Sequence, residues 1–519
     1  MSRTFYFPTF LLLALPWLSP FALGPSPTVL PWLLSMACAA VVMLLFNLQS
    51  KAQAHAERQS PPLFDVPHAF GASVLTAGLV SSVLALLQYF DVEALFAPWI
   101  NLAEPAQAFA NLRQRNQFAS LTNMALAVLL AWAMRQGAAK VDGRVTVLAL
   151  AAALLLAVGN AASASRTGAV QIVLLGALFG LWGGWQSRLV RLIGVTAVAA
   201  YVAAGLVLPY AAGYDGSVQG LFARLHAGDE LCSSRLTLWS NVLRLIAQKP
   251  WLGWGWGELD FAHFITLYNG PRFCDILDNA HNLPLHLAVE LGVPVALLVC
   301  GGFTWWVLRQ KPWLESDAAR QMAWAVMAVI LLHSMLEYPL WYGPFQIAFV
   351  LCLVILWRRP AAAITVKNDA NNMQNMPLAE VNNTHTAIIS IASIIALAAI
   401  FYATWDYHRV SQIYLQPESR HAAYQQDTLA QARKSWLFAD QALFAELMLT
   451  PLTPATAMQV YASAVYLLHY SPEPRVVQKV VESAVMLGKD AEALACLARF
   501  KAAFPKEHAA WAKAVQTPI

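Results

Sequence analysis

Apolar stretches of about the 20 residues needed to cross a hydrocarbon core recur along this 519-residue chain. Their centres fall near Leu13, Val41, Leu79, Leu129, Ala153, Leu175, Val198, Leu298, Val329, Val350 and Ile394. The pattern predicts an all-α, polytopic membrane helical bundle of about eleven spans. The first run, Phe5 to Leu23, lacks a small-residue cleavage site and is followed at once by another span, so we read it as a retained helix. Only 12% of residues are charged, against about 25% in an average soluble domain, and 58% are hydrophobic. The net charge of +4 is dispersed between apolar runs, which excludes the concentrated basic surface of a nucleic-acid-binding protein.

Lys and Arg collect in alternate loops, and cytoplasmic loops carry that excess. Arg3; Lys51 and Arg58; Arg135, Lys140 and Arg144; Arg188 and Arg191; Arg309 and Lys311; and Arg358, Arg359 and Lys367 fall on one side, read as cytoplasmic together with the N-terminus. An odd number of crossings leaves the tail outside. The expected division is a membrane domain over 1–403, with a large external loop at about 213–280, and an external helical domain over 404–519. Within the loop, Ser234 to Gln248 has a Ser cap and apolar residues at helical spacing, predicting an amphipathic helix on the membrane surface. The following Lys249-Pro250-Trp251-Leu252-Gly253-Trp254-Gly255-Trp256-Gly257 breaks it and sets three indoles where interfacial aromatics are favoured. The Asn-rich stretch Lys367 to His385 reads as a linker. In the tail, Ala491 to Trp511 is similar to one helix of a tetratricopeptide unit, and a generic helical hairpin domain fits it equally. Cys232 and Cys274 share the external loop, where they form either a disulfide or two buried thiols.

The external face carries the residues that break the charge rule. Arg166, in Ala164-Ser165-Arg166-Thr167-Gly168, and Arg113 and Arg115, in Asn111-Leu112-Arg113-Gln114-Arg115-Asn116-Gln117, stand where few cations are expected. Arg235 opens the loop helix. Guanidinium groups at a membrane boundary either snorkel, pair with carboxylates, or bind phosphate oxygens in bidentate geometry; an anionic lipid headgroup is the natural partner. His281, flanked by Asn279 and Asn282 at the mouth of the span that continues through Glu290 and Gly292, suits a water-facing proton acceptor. We prefer it to His286, which lies deeper. His333 and Glu337, four apart, would share a helix face, with Glu337 either functional or tied to an arginine. No Walker loop, no Asp-x-Asp pair on an external loop and no Cys/His cluster with metal spacing is present, so a metal-independent reaction without a cofactor is the simpler expectation.

Asp278-Asn279-Ala280-His281-Asn282, Ser234-Arg235 with Trp239 and Gly253-Trp254-Gly255, and His333-Ser334-x-x-Glu337-Tyr338-Pro339-Leu340 together resemble the O-antigen ligase and polymerase superfamily. The nearest likeness is to the protein O-oligosaccharyltransferases of Gram-negative bacteria, the PglL type; Arg115-Asn116-Gln117 and the helical tail are also similar to that branch. The resemblance implies a GT-C-like bundle in the inner membrane with its active site and C-terminus facing the periplasm. It implies inverting transfer of a preassembled glycan from undecaprenyl diphosphate to Ser or Thr of a periplasmic or pilin protein. By the same resemblance His281 would deprotonate or orient the acceptor hydroxyl, Arg166 and Arg235 would hold the lipid diphosphate, and Gln117 and Tyr338 would stand at the active-site mouth. Arg115 is a further candidate for the lipid diphosphate, and Asn279, Asn282 and Glu337 are further candidates at that mouth. The alternatives are an O-antigen ligase acting on lipid A core, an O-antigen polymerase and, from another class, a lipid-linked sugar flippase.

Overall fold

The computed structural model describes residues 3–22, 24–55, 66–104, 107–137, 141–213, 232–357 and 383–516. Arg58, Lys140, Arg358, Arg359, most of the 367–385 linker and residues 214–231 of the long loop lie outside the described residues, as do the side chains of Arg3 and Lys51. Every regular element among the described residues is helical. The bundle contains α1 (Arg3–Leu18), α2 (Val29–His55), α3 (Val66–Tyr89), α4 (Arg115–Gln136), α5 (Gly143–Ala162), α6 (Arg166–Leu181) and α7 (Arg188–Ala211). After the long loop come α8 (Arg235–Gln248), α9 (Leu259–Ile265), α10 (Leu283–Leu291), α11 (Val293–Gln310), α12 (Ala318–Ser334), α13 (Gly343–Trp357) and α14 (Asn383–Ser411). Seven of the expected spans fall in helices long and apolar enough to cross a membrane. The other four fall in the shorter apolar helices Tyr6–Leu18, Arg166–Leu181, Ala318–Ser334 and Gly343–Trp357.

Among the long helices α4 is the most enclosed, with 89% of its central window buried. It carries Gln117, Ser120, Thr122 and Asn123 inward, and α3, α5, α6 and α12 surround it. Polar side chains in a bundle interior are tolerable because they find partners on neighbouring helices. Small residues set the spacing: a Cβ on Gly78 would stand 2.6 Å from Ala125, and one on Gly159 2.6 Å from Ser82. By contrast only 6% of the corresponding windows of α11 and α14 is buried, as expected of helices facing lipid. Arg135, Arg144, Arg188 and Arg309 stand at or beside ends of α4, α5, α7 and α11, whereas the starts of α4 and α6 and the end of α12 come together through Ser165, Asn116, Ser120 and His333.

Three expectations need correction. The span bearing His281 is not continuous: Gly292, at φ +89°, divides α10 from α11. The cause is tertiary. Residues 250–255 cross the break, with Trp254 N donating to Val289 O at 2.9 Å, Gly255 N to Glu290 O at 3.0 Å and Val293 N to Pro250 O at 2.8 Å. Glu337 is not on the helix of His333, because α12 ends at Ser334; a turn keeps them adjacent, Glu337 N donating to His333 O at 2.8 Å. The boundary at 403 falls inside α14, which runs unbroken to Ser411.

Beyond it lie α15 (Thr428–Ala432), α16 (Ala439–Leu449), α17 (Ala457–Leu467), α18 (Pro474–Met486), α19 (Asp490–Ala503) and α20 (Pro505–Gln516). The tetratricopeptide-like stretch is split between α19 and α20 at Phe504 and Pro505. Two sets of contacts fasten the tail to the site end of the bundle. Tyr407 Oη donates to Ser26 O at 2.8 Å, and the short α9 inserts Phe264 into a tail core containing Leu447, Leu467, Val477 and Phe500. Beside it Arg499 Nε donates to Ile265 O at 3.0 Å and His469 Nδ1 meets Glu258 Oε2 at 2.7 Å.

Candidate functional site

Three helices begin at one point, each with an arginine in first position behind a polar cap. Gln114 caps α4 by accepting from Gln117 N at 2.6 Å, Ser165 caps α6 from Gly168 N at 3.0 Å, and Ser234 caps α8 from Thr237 N at 3.2 Å. Arg115, Arg166 and Arg235 follow directly. Helix starts carry partial positive charge and unpaired N–H groups, so the convergence adds backbone dipoles to guanidinium charge.

Glu337 stands among them. Its Oε1 accepts from Arg235 at 3.0 Å and from Asn116 Nδ2; its Oε2 accepts from Gln114 Nε2 at 2.5 Å and meets His333 Nε2 at 3.1 Å. Burial alone would raise its pKa, but His333, Arg235 and Asn116 together hold it below the usual carboxylate value. Arg115 lies in the fields of both Glu337 and Arg166.

A cavity of about 40 Å³ opens beside this cluster, lined by Gln114, Gln117, His281, His333, Glu337, Tyr338, Pro339 and Tyr342. His281 sits at φ +51°, its N–H bonded to Asn279 Oδ1 at 2.9 Å. Trp239 Nε1 donates to Ala280 O at 3.1 Å, and Asn282 caps α10 while its Nδ2 donates to Met335 O at 3.0 Å. Backbone and neighbouring side chains thus fix the His281 turn. The imidazole meets Tyr338 edge-on, with centroids 5.1 Å apart, and makes no hydrogen bond to a described residue. Burial, aided by Arg235, lowers its pKa against the opposing pull of Glu337 and Asp278. The ring is therefore neutral at pH 7 and able to accept a proton.

Of the residues expected from sequence, His281, Gln117, Glu337 and Tyr338 line the cavity and Arg235 is paired at its edge. Arg115 and Arg166 stand at the adjoining helix starts. Asn279 and Asn282 shape the turn instead of facing the cavity. Arg113 points away, donating to Pro20 O at 2.5 Å and Asn101 Oδ1 at 3.2 Å. His286 is buried against Glu290 at 3.4 Å. Cys232, just before α8, is disulfide-bonded to Cys274, which follows α9, with Cα atoms 5.2 Å apart. Sequence reasoning did not single out Gln114, Ser165 or Tyr342; a polar residue directly before an arginine-led helix is the signal that marks the first two.

The chain matches three family models: protein glycosylation ligase over residues 108–133, O-antigen ligase over 151–300, and virulence factor membrane-bound polymerase, C-terminal, over 321–518. It is an all-α polytopic membrane protein whose residues 151–300 are similar to the O-antigen ligases. Within that likeness, residues 108–133 and the curated relatives are similar to the protein glycosylation ligases of the PglL type. A general O-oligosaccharyltransferase of Acinetobacter baylyi is 25% identical over 296 residues, covering 54% of this chain and 49% of the relative. A ComP-specific O-oligosaccharyltransferase of the same organism is 27% identical over 126 residues, covering 24% and 22%. The chain thus spans about half, or less, of the length of the curated relatives it matches.

Proposed function

We propose that this protein is a glycosyltransferase that moves a preassembled oligosaccharide en bloc from undecaprenyl diphosphate to Ser or Thr hydroxyls of periplasmic proteins such as pilins. It acts in the inner membrane of a Gram-negative cell, with the cavity and tail facing the periplasm. The observation that carries the reading is a neutral imidazole, without a hydrogen-bond partner among the described residues, in a cavity whose Glu337 holds Arg235 at its edge, beside two more arginine-led helix starts. Each of the three matched segments supplies residues to that cavity: Gln114 and Gln117, then His281, then His333, Glu337 and Tyr338.

The chemistry follows from the placement. His281 accepts the proton of the acceptor hydroxyl as its oxygen attacks the anomeric carbon from the face opposite the diphosphate, so the configuration inverts. The glycosyl–oxygen bond breaks with its electrons passing to a diphosphate, where Arg235 and Arg166, with Arg115 beside them, stabilise the added charge without a metal. The donor's lipid reaches the site from the bilayer and the acceptor from water.

The test is expression in a cell that holds a lipid-linked glycan and a pilin, with both pilin and lipopolysaccharide examined by mass spectrometry. Glycan on pilin Ser or Thr is expected. Glycan on core lipid alone would overturn the protein-acceptor reading in favour of an O-antigen ligase.

A further inference from the structure

Four side chains behind the cavity, buried in the bundle, form a sequence whose direction can be worked out atom by atom. Asn123 Nδ2 donates to Gln171 Oε1 at 2.9 Å and to Gly168 O at 3.0 Å. That fixes the Gln171 amide, whose Nε2 then donates to Ser120 Oγ at 2.8 Å and to Val329 O at 3.2 Å. The Ser120 hydroxyl also meets His333 Nδ1 at 2.9 Å, and donates to it when the ring carries its single hydrogen on Nε2. That placement is set by Glu337, whose Oε2 accepts from His333 Nε2 at 3.1 Å. The reverse order would set a bare nitrogen lone pair against a carboxylate. Asn123, Gln171, Ser120 and His333 are each at most 1% exposed, so none can exchange its partner for water.

We infer that this one-way chain of donors, Asn123 to Gln171 to Ser120 to His333, ends on Glu337 and makes Glu337 a positioning residue that holds Arg235, Gln114 and Asn116 around the cavity. Successive donors polarise one another and strengthen the last bond. Its effect spreads beyond one arginine. Asn116, donating to Glu337, also accepts from Ser165 Oγ, the cap of α6. Glu337 therefore links the starts of α4, α6 and α8, and with them the three arginines. The other charged or titratable groups acting on it are Arg115, His281, Tyr338 and Tyr342.

In its catalytic consequence this inference rests on the transferase reading above; in its electrostatic consequence it does not. The test uses Ser120→Ala and Gln171→Leu, which cut the chain without altering a residue that lines the cavity. Purified full-length protein in lipid films is titrated by infrared spectroscopy, with Glu337→Gln identifying the Glu337 carboxyl band. Both variants are expected to move protonation of Glu337 to higher pH. In a transfer assay with an undecaprenyl-diphosphate-linked oligosaccharide and a pilin, both should raise KM for the donor about tenfold, the worth of one buried hydrogen bond, and leave KM for the pilin unchanged. Titrations that superimpose on the unaltered protein would overturn the inference, as would equal losses for both substrates. If the unaltered protein transfers nothing, the activity reading fails and the infrared arm still decides the donor chain.

Discussion

Replacing His281 by asparagine should abolish transfer without unfolding the protein, and the structure says why the two effects separate. Everything that shapes the turn avoids the imidazole: Asn279 takes the His281 N–H, Trp239 takes Ala280 O, and Asn282 takes Met335 O. The ring contributes one edge contact with Tyr338, worth about 1 kcal/mol. At φ +51° asparagine is among the side chains best tolerated, whereas alanine adds roughly 1–2 kcal/mol of left-handed strain. His281→Asn should thus cost about 1 kcal/mol of stability, with His281→Ala somewhat worse. Catalysis loses far more, because a positioned base contributes about 10²–10⁴-fold, or roughly 3–5 kcal/mol of barrier. The assay is the initial rate of pilin glycosylation by intact-mass spectrometry, beside thermal melting of the same detergent-solubilised samples. More than about a tenth of activity retained by the asparagine variant would refute His281 as the base. A melting loss that accounts for the lost activity would make the residue structural.

Because the His281 pKa is lowered, and the proposed base acts in its neutral form, kcat/KM should be level near pH 7 and fall on acidification only below the ordinary histidine value of about 6.5. An acid limb centred above that value in a pH–rate profile contradicts it. Arg166→Lys keeps the charge but loses the planar fork, so donor KM should rise about tenfold or more if the contact is bidentate; unchanged kinetics would leave only a diffuse charge effect. Phe264 is 3% exposed within the tail core, and its truncation to alanine should cost about 3–5 kcal/mol, speeding proteolytic release of the tail. Unchanged cleavage would show that α9 does not fasten it.

The membrane helices were legible because each expected span leaves a continuous apolar run, and every one falls on an apolar helix. The cationic half of the site was legible because Arg115 and Arg166 stand where positive charge is unexpected. Ser120 and Gln171 were not: an isolated polar residue inside an apolar run does not reveal its partner, and theirs lie on different helices. His333 and Glu337 are adjacent, as their spacing suggested, although the helix stops between them. The break at Gly292 was hidden for a related reason, since its cause is a segment some forty residues earlier in the chain.

That crossing also constrains how the sequence can drift. A Cβ on Gly253, at φ +70°, would lie 2.3 Å from the Glu290 carbonyl; one on Gly292, at φ +89°, would lie 2.2 Å from Trp251 O. Each glycine leaves room for the other's backbone, so a side chain at either obstructs the same passage and a second change at the partner cannot relieve it. Among homologues that keep this loop the two positions should be lost together, with the whole crossing, and not one at a time. Their joint presence in a distant sequence would then mark the same broken helix beneath the His281 turn, even where little else aligns.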